Sequence, residues 1–274
     1  MRRIYKVLGA LVLLLLLLAI GGYIYIKSVA PPGEERIAYG NGKLIASIDK
    51  QIKGLDMEKL RKDKEKYVIE KNIEDLQKAV KDGLLTYEEI TAIYLHRIQM
   101  LDQNKKGFNS VVEINPKAIQ EAREMDRRRT SLSGNVNSPL FGLPVMLKDN
   151  INTSDMPTSA GAVAFADFMP KDDAPLVKEL KAQGAIILGK NNLSKFAYFV
   201  SSIMPSGYSG KKGQTLNPFG PLKISPSGSS SGSAVAVTAN LIPIYRHRDR
   251  WLYRRSICSQ FGRRIKTIPR NGPR

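Results

Sequence analysis

The sequence predicts an α/β domain preceded by a membrane-spanning helix. An uncharged run of 20 residues near the N-terminus is long enough to cross a bilayer. Beyond residue 66, amphipathic helical segments alternate with short apolar segments that are typical of buried strands. Strand, helix and strand in this order favour an α/β class, and an apolar share of 42% is sufficient for a hydrophobic core.

The N-terminal apolar run, residues 7–26, would be about 30 Å long as a helix, which matches the hydrocarbon core of a bilayer. The basic segment 1–6 favours a cytoplasmic N-terminus and an extracytoplasmic domain. A cleaved signal peptide is the competing interpretation, because residues 28–30 (SVA) are small and suitably spaced. Since Pro31 would follow that cut and the run is long, we expect an uncleaved single-pass anchor, followed by a linker or spacer over residues 27–66.

Two amphipathic helices are predicted at the start of the domain. Apolar residues at helical spacing end before Gly83, and Thr86 with Glu89 forms a capping box that opens the next helix. The first stripe consists of Ile73, Leu76 and Val80, and the second of Ile90, Ile93, Tyr94, Ile98 and Leu101. We expect both stripes to face the core.

The next part of the sequence predicts a strand, a helix and a second strand. FNSVVEIN (108–115) alternates like a strand, and a helix begins at Pro116 and continues to about Arg129. LFGLPVMLKDN is a short apolar run that ends on Lys148.

A further helix and strand follow. Asp173 is the predicted cap of the helix APLVKELKAQ, and Gly184 ends this helix. AIILGK, residues 185–190, then reads as a compact buried strand.

The net charge indicates possible partners, and the scarcity of cysteine and histidine excludes two kinds of site. The net charge is +18, and ten Lys/Arg with one Asp give the segment 245–274 a charge of +9, half of the total. Such a basic segment is typical of proteins that bind nucleic acid or an anionic membrane surface. One cysteine, Cys258, and two histidines, His96 and His247, are too few for a disulfide scaffold or a Cys/His zinc site, so we expect no metal.

Two features could carry chemistry: Lys148, which lies in an apolar setting, and the Ser/Gly segment 225–233, which precedes an apolar Ala/Val run. Taken singly, each has a simpler interpretation. A lysine is usually a surface charge, and a Ser/Gly stretch is usually a flexible linker or a helix N-cap. A phosphate-binding loop is not supported, because the G-x-x-x-x-G-K-[ST] order is absent.

Together the two features belong to a longer pattern. Residues 85–243 resemble the amidase signature family of serine hydrolases, through GLPVMLKDNINTSDMPTSAGA, APLVKELKAQGAIILGKNNLSKFA, GQTLNPFG and SPSGSSSGSAVAV. The resemblance implies that residues 67–244 are part of an amidase domain, with a mixed β-sheet covered by helices. It also implies hydrolysis of a carboxamide C–N bond, in a small molecule or a peptide, through an acyl-enzyme and without a metal or organic cofactor.

The resemblance also assigns candidate site residues. The family uses a Ser–Ser–Lys triad, in which Lys148 matches the lysine and Ser229 matches the bridging serine that follows a cis peptide bond. The supporting loop reads S-G-S-S-S-G here in place of G-G-S-S-G-G, and its other candidate residues are Gly228, Ser230, Ser231 and Gly232. A lysine in a water-poor place has its charged form disfavoured, so it can be neutral and act as a base.

The nucleophilic serine of the family is missing from the place where it is expected. In the family it lies in a segment such as IGTETDGSI, and this chain has YRHRDRWLYRR there. Read one nucleotide later, permitted codons for residues 245–254 give I-G-T-E-T-D-G-S-I-V, with the serine in place of Leu252. The sequence therefore predicts a frameshift near Ile244 and an out-of-frame tail over residues 245–274.

A chain with this tail should be catalytically inactive as written, because it lacks the nucleophile and the backbone N–H groups beside it. It would also be a truncated family domain, in which strands such as AIILG lose later sheet neighbours. The alternative is a non-enzymatic protein whose arginines, interleaved with aromatic residues, bind anionic lipid or nucleic acid. Nucleic acid fits poorly with an extracytoplasmic domain and is not an expected partner. The nucleotide sequence around codon 244 distinguishes the two interpretations.

Overall fold

The fold combines α-helices with short β-strands. The computed structural model describes residues 2–29, 33–131, 138–201 and 203–243. The predicted out-of-frame tail lies outside these residues. The helices are α1 (Arg2–Val29), α2 (Asn41–Ile52), α3 (Met57–Lys64), α4 (Ile73–Lys81), α5 (Tyr87–Arg97), α6 (Ala118–Ser131), α7 (Pro175–Ala182) and α8 (Ser231–Thr238). The strands are β1 (Val111–Ile114), β2 (Pro144–Lys148), β3 (Ile186–Asn191), β4 (Tyr208–Ser209) and β5 (Gly213–Gln214).

The first helix, α1, contains the predicted membrane span. Its segment Arg3–Ser28 is long and apolar enough to cross a membrane, with a mean hydropathy of 2.7, and its apolar window is not buried against the rest of the protein. A signal sequence near the N-terminus would have the same length and composition. The helix therefore fits both an anchor and a signal sequence.

The main sheet has three strands in the order β1-β3-β2. The middle strand, β3, runs parallel to β2 and antiparallel to β1, so the sheet is mixed, in agreement with the amidase-type fold. Every residue of β2 and β3 is buried. This order corrects one expectation: the AIILG strand, β3, has a neighbour on both sides, and the edge strands of this sheet, within the described residues, are β1 and β2.

Of the two helices predicted at the start of the domain, α5 begins where the sequence indicates. Thr86 Oγ1 accepts a hydrogen bond from Glu89 N at 3.1 Å, and Glu89 Oε2 accepts one from Thr86 N at 2.9 Å. This is the predicted capping box of α5. The predicted stripes are buried at Ile73, Leu76, Val80, Ile90, Ile93, Tyr94 and Ile98.

Part of the predicted spacer is instead a core helix. α2 buries Leu44, Ile48 and Ile52 in the same hydrophobic cluster as the sheet. Gln51 Nε2 donates a hydrogen bond to Asn115 O at 3.0 Å, which ties α2 to the end of β1. Residues 27–66 were predicted to be a spacer because the segment is rich in charged residues, although it contains this short apolar stripe. In contrast, α3 buries no residue.

The apolar stripe of α5 does not continue to Leu101. After α5 the chain widens into a π-helical turn, Ile98–Asp102, and the side chain of Leu101 is exposed. The turn directs Asp102 inward, where its carboxylate accepts hydrogen bonds from Ser110 N at 2.7 Å and from Val111 N at 2.9 Å. Satisfying these buried N–H groups of the strand outweighs burial of one leucine.

Asp173 does not cap α7. The N-cap residue is Ala174, with no side-chain cap, and Pro175 occupies the first turn. The carboxylate of Asp173 instead accepts hydrogen bonds from Ser154 N at 2.7 Å and from Lys181 Nζ at 2.9 Å. Asp173 therefore fixes the loop after β2 to the far end of α7.

Candidate active site

The candidate site lies where β2 ends beside β3 and where the Ser/Gly loop leads into α8. Lys148 is the last residue of β2, and 6% of its surface is exposed, as it is for Ser229. The Lys148 Nζ atom donates a hydrogen bond to Ser229 Oγ at 2.8 Å. The fold thus places side by side two residues that are 81 positions apart in the sequence.

The surroundings of Lys148 change its acidity. Burial lowers the pKa of its amine from 10.5 to about 8, because a low-dielectric environment disfavours the ammonium form. Near pH 8 about half of the population is therefore neutral. A neutral amine accepts a proton, so the geometry and the pKa together allow Lys148 to act as a base toward the Ser229 hydroxyl.

The loop that carries Ser229 is fixed by close backbone contacts. The peptide bond between Gly228 and Ser229 is cis. Ser229 O accepts a hydrogen bond from Ser194 N at 3.0 Å. A Cβ atom at position 228 would lie 2.6 Å from Ser194 Oγ and 3.0 Å from the hydroxyl of Tyr198, so a side chain there would have to displace both.

Gly232 permits a closer contact, between the start of α8 and the sheet. A Cβ atom at this position would lie 2.4 Å from Asn192 O and 2.5 Å from Ser110 O, which are both backbone atoms. Gly232 N donates to Asn192 O at 3.1 Å, and Asn192 N donates to Ser110 O at 2.7 Å. The first turn of α8 is therefore held against the segments that flank β1 and β3, three residues beyond Ser229.

Several buried polar atoms beside the Lys148–Ser229 pair have no hydrogen-bond partner within the described residues. They are Ser230 Oγ, Ser231 Oγ and Asn191 Oδ1. Ser230 and Ser231 follow Ser229 directly, and Asn191 lies beside Lys148 in the β2–β3 register. Because folded proteins leave few buried polar atoms unpaired, this group is well placed to contact a substrate or a further segment of chain.

A second buried lysine, Lys190 in β3, was not evident from the sequence. Its Nζ donates to Pro157 O at 2.7 Å and to Thr158 Oγ1, and burial lowers its pKa to about 8. Asp149 is also buried and accepts a hydrogen bond from the hydroxyl of Ser159. These bonds hold the loop that follows Lys148. The one sequence signal for this arrangement was the position of Asp149 directly after Lys148.

No cluster of three or more His, Cys, Asp or Glu side chains that could hold a metal ion occurs among the described residues. The place aligned with the nucleophile, Leu252, lies outside them. The structure therefore describes the lysine and bridging-serine positions of the expected triad and not the third position.

Comparison with known proteins identifies the family. The model of the Amidase family matches residues 89–245, more than half of the chain. The chain belongs to the amidase family. The match includes Lys148, Ser229 and the loop between Gly228 and Gly232, so the site described above lies inside the family domain.

Solved structures and curated relatives agree with this family. An amidase family protein from Bacillus anthracis is 50% identical and superimposes with a TM-score of 0.74, covering 78% of this chain and 42% of that one. The peptide amidase of Stenotrophomonas maltophilia is 47% identical with a TM-score of 0.60, covering 63% of this chain and 35% of that one. A protein named "Probable amidase" in Arabidopsis thaliana is 41% identical over 177 residues, which are 64% of this chain and 34% of that protein.

These matches cover only part of each relative. The chain spans about a third of the length of the curated relatives it matches, 34% for the Arabidopsis protein and 34% for a glutamyl-tRNA(Gln) amidotransferase chain of Alkaliphilus metalliredigens. The family and the hydrogen bond between Lys148 and Ser229 are thus findings, whereas the catalytic roles of these residues and the reaction are proposals.

Proposed function

We propose that this chain is part of a serine amidase in which Lys148 is the general base and Ser229 is the bridging hydroxyl. The 2.8 Å hydrogen bond from Lys148 Nζ to Ser229 Oγ carries the proposal. A buried amine with a pKa of about 8 and a serine hydroxyl at this distance can pass a proton in either direction.

The proposed reaction is hydrolysis of a carboxamide C–N bond. A nucleophilic serine loses its proton to the Lys148–Ser229 relay and attacks the carbonyl carbon, and the amine then leaves with a proton returned by the relay. Water hydrolyses the resulting acyl-enzyme by the same transfers in reverse order. The relay thus carries one proton in each direction for each bond that is broken.

The nucleophile in this proposal is the serine that the shifted reading frame permits at position 252. The chain as given has Leu252, whose side chain can neither attack a carbonyl carbon nor lose a proton, so we expect this chain to be inactive. The shifted frame also gives a glycine in place of Trp251, and backbone N–H groups beside the nucleophile would stabilise the oxyanion.

Amides of small molecules or peptides are the proposed substrates. The peptide amidase among the solved relatives is described in complex with a competitive inhibitor, chymostatin, and it is 47% identical to this chain over the matched region. This likeness favours peptide amides over other carboxamides as the first compounds to assay.

Membrane anchoring is the second part of the proposal. The apolar helix α1 has the length of a bilayer core, and basic residues precede it. We therefore place the domain outside the cytoplasm. Protease added to intact cells should digest the domain, and protection until the cells are lysed would refute this topology.

The catalytic proposal is tested by assaying amide hydrolysis in four proteins. They are the chain as given, its Leu252→Ser variant, the protein with the reading frame restored, and the frame-restored protein with Lys148→Ala. We expect activity in the frame-restored protein alone. The single Leu252→Ser substitution should not restore activity, because it leaves the glycine-containing oxyanion segment out of frame.

Two outcomes would overturn the proposal. Activity of the chain as given would show that Leu252 does not occupy a required position. Undiminished activity of the frame-restored Lys148→Ala variant would show that Lys148 is not the base. A frame-restored Ser229→Ala variant is the matched control for the bridging hydroxyl, and it should lose activity to a similar degree if the two residues act as one relay.

A further inference from the structure

The carboxylate of Asp149 is buried where the chain leaves β2. Asp149 directly follows the last residue of this strand, and both Asp149 and Ser159 are fully buried. The Ser159 hydroxyl donates a hydrogen bond to Asp149 Oδ2, and Gly161 N lies 3.4 Å from the same oxygen. The backbone oxygen of Asp149 accepts a hydrogen bond from Ala160 N at 3.1 Å. Asp149 therefore fixes these three residues, called here the 159–161 segment, to the end of β2.

The 159–161 segment in turn contacts another loop, residues 194–198. Ala160 O accepts a hydrogen bond from Phe196 N at 2.9 Å. A Cβ atom at position 161 would lie 3.2 Å from the Cα atom of Lys195, so the two segments are packed backbone against backbone. The position of the 194–198 loop thus depends on the segment that Asp149 holds.

The 194–198 loop holds the serine of the proposed relay. Ser194 N donates a hydrogen bond to Ser229 O at 3.0 Å. The side chain of Tyr198 lies against Gly228, because a Cβ atom at position 228 would be 3.0 Å from the Tyr198 hydroxyl. The loop therefore contacts both Ser229 and the residue before it.

The backbone of the 194–198 loop needs support from its neighbours. Phe196, Ala197 and Tyr198 have φ values of 48°, 54° and 72°, in the left-handed region that residues other than glycine adopt at a cost in free energy. Such a backbone persists only where the surrounding structure holds it. The hydrogen bond from Phe196 N to Ala160 O supplies part of this support, so we expect its loss to let the loop relax and move.

We propose that Asp149 is a positioning residue for the Lys148–Ser229 relay. Its backbone continues from Lys148, and its carboxylate holds Ser229 in place through the 159–161 segment and the 194–198 loop. The 2.8 Å hydrogen bond from Lys148 Nζ to Ser229 Oγ closes this ring of contacts. The inference rests on the proposed function and adds to it a residue that acts through the other two.

A through-space effect of the Asp149 charge is the alternative to positioning. Burial raises the pKa of Asp149, and the Ser159 hydroxyl and two nearby lysines, Lys211 and Lys190, oppose this rise. Through space, removal of a carboxylate favours anions at the site, whereas loss of positioning separates an anion at position 229 from the lysine that stabilises it. The two roles therefore predict opposite changes in the pKa of an acid placed at position 229.

The test places a thiol at position 229 of the full chain, in non-ionic detergent micelles. Ser229→Cys is introduced together with Cys258→Ser, so that it supplies the only thiol. A thiolate is stabilised by an adjacent ammonium, so the thiol pKa should lie below the ordinary value of about 8.5. The pKa is measured from the pH dependence of the rate of alkylation by iodoacetamide. Lys148→Met in this background gives the reference without the lysine, and its thiol pKa should be higher.

Variants of the ring should move the thiol pKa toward this reference. Asp149→Ala and Ser159→Ala should each raise it by about one unit, because each separates the thiol from the Lys148 amine. Alkylation at pH 7 then becomes several-fold slower. Asp149→Asn keeps an oxygen that accepts the Ser159 hydrogen bond, so it should leave the thiol pKa close to that of the parent protein.

Asp126→Ala is the matched control. The Asp126 carboxylate accepts hydrogen bonds from Tyr87 N at 2.9 Å and from Glu88 N at 3.0 Å, so it also fixes a neighbouring segment, the start of α5. None of its bonds belongs to the ring around the relay. Asp126→Ala should therefore leave the thiol pKa unchanged.

Three results would overturn the proposal. A lower thiol pKa in Asp149→Ala would indicate an effect of charge, and an unchanged pKa in both alanine variants would show that the ring does not hold position 229. An equal rise in Asp126→Ala would show that any loss of stability has this effect. Urea unfolding shows whether each protein is folded, and if Asp149→Ala is not, Ser159→Ala decides alone, because it removes a single hydroxyl.

Kinetics of the frame-restored protein separate this inference from the proposed function. Ser159→Ala should lower kcat several-fold there and leave KM nearly unchanged, because the relay acts in the chemical step. An inactive frame-restored protein combined with the expected thiol pKa values would refute the proposed function and support the positioning of residue 229. An active frame-restored protein whose kcat is not lowered by Ser159→Ala would refute the inference alone.

Discussion

Replacing Gly232 with alanine should separate α8 from the sheet and disturb the Lys148–Ser229 pair. The new Cβ atom would lie 2.4 Å from Asn192 O and 2.5 Å from Ser110 O, so backbone atoms block it on two sides. Atoms in ordinary contact are about 3.5 Å apart, which means that the start of α8 has to move by about 1 Å. No flexible side chain can absorb this movement.

The cost follows from the contacts that this movement breaks. Overpacking of a tight site costs about 1–3 kcal/mol. Loss of the 3.1 Å hydrogen bond from Gly232 N to Asn192 O adds about 1 kcal/mol. We therefore expect Gly232→Ala to lower the free energy of unfolding by about 2–4 kcal/mol. Ser229 precedes Gly232 by three residues, so a similar displacement would stretch the 2.8 Å bond to Lys148 beyond hydrogen-bonding distance.

The measurement is urea unfolding of the full chain in non-ionic detergent micelles, followed by tyrosine fluorescence. Gly42→Ala is the matched control, because a Cβ atom at that position in α2 has no neighbour within 4 Å. Removal of a helical glycine should raise stability by up to about 1 kcal/mol. If the unfolding midpoint of Gly232→Ala equals or exceeds that of Gly42→Ala, the argument from close packing is wrong.

Three further predictions concern buried charged groups. Lys148 should titrate near pH 8, because burial lowers the pKa of its amine. The titration is followed by NMR of the ¹³C-methylated chain, in which the signal of Lys148 is the one that disappears in Lys148→Met. Titration of this signal above pH 10 would contradict the burial of Lys148. Burial lowers the pKa of Lys190 to about 8, whereas its pKa in the unfolded chain is 10.5. The charged lysine therefore lowers the free energy of unfolding at pH 7. This destabilisation disappears as the pH rises from 8 to 10.5. The urea midpoint should therefore rise between pH 7 and pH 10, and it should rise less in Lys190→Met. An equal rise in both proteins would show that the Lys190 charge does not affect stability. Asp102→Asn should lower the free energy of unfolding by about 2–4 kcal/mol, because the amide cannot accept all the hydrogen bonds that Ser110 and Val111 donate. Exposed Asp63→Asn, in α3, is its control, and equal midpoints for the two variants would contradict this role of Asp102.

Elements with a local signal were predictable from the sequence. The capping box of Thr86 and Glu89 and the stripe of Ile73, Leu76 and Val80 are interactions between residues three or four positions apart, so the sequence contains both partners. The buried strands β2 and β3 were also evident, because each is a short apolar run ending at a polar residue.

Elements that depend on distant partners were not predictable. α2 reads as a charged spacer, and its role in the core follows from packing against residues more than 60 positions away, such as Asn115. Asp173 has the residue type and the position expected of a helix N-cap, but its carboxylate accepts hydrogen bonds from Ser154 and Lys181 instead. In each case a tertiary contact overrides the local preference of the sequence.

Two of the buried lysines, Lys148 and Lys190, show why the site could be assigned only through the family resemblance. Lys148 and Lys190 each follow a short apolar run, and nothing local distinguishes them. In the β2–β3 register Lys148 pairs with Asn191, while Lys190 pairs with Leu147, so the two lysines are offset by one residue. Because side chains alternate between the faces of a sheet, this offset puts the lysines on opposite faces.

The offset determines what each lysine contacts. Lys148 shares its face with Asn191, and the partners on this face are Ser229 and Ser233, on either side of the start of α8. Lys190 meets Pro157 O on the other face. A shift of the β2–β3 register by one residue would therefore move Lys148 to the other face of the sheet and away from Ser229. The irregularity in the β2–β3 pairing between Val145 and Met146 lies within the three residues before Lys148, and it sets this register. A bulge of this kind depends on the pairing of two strands, so it cannot be read from either strand alone.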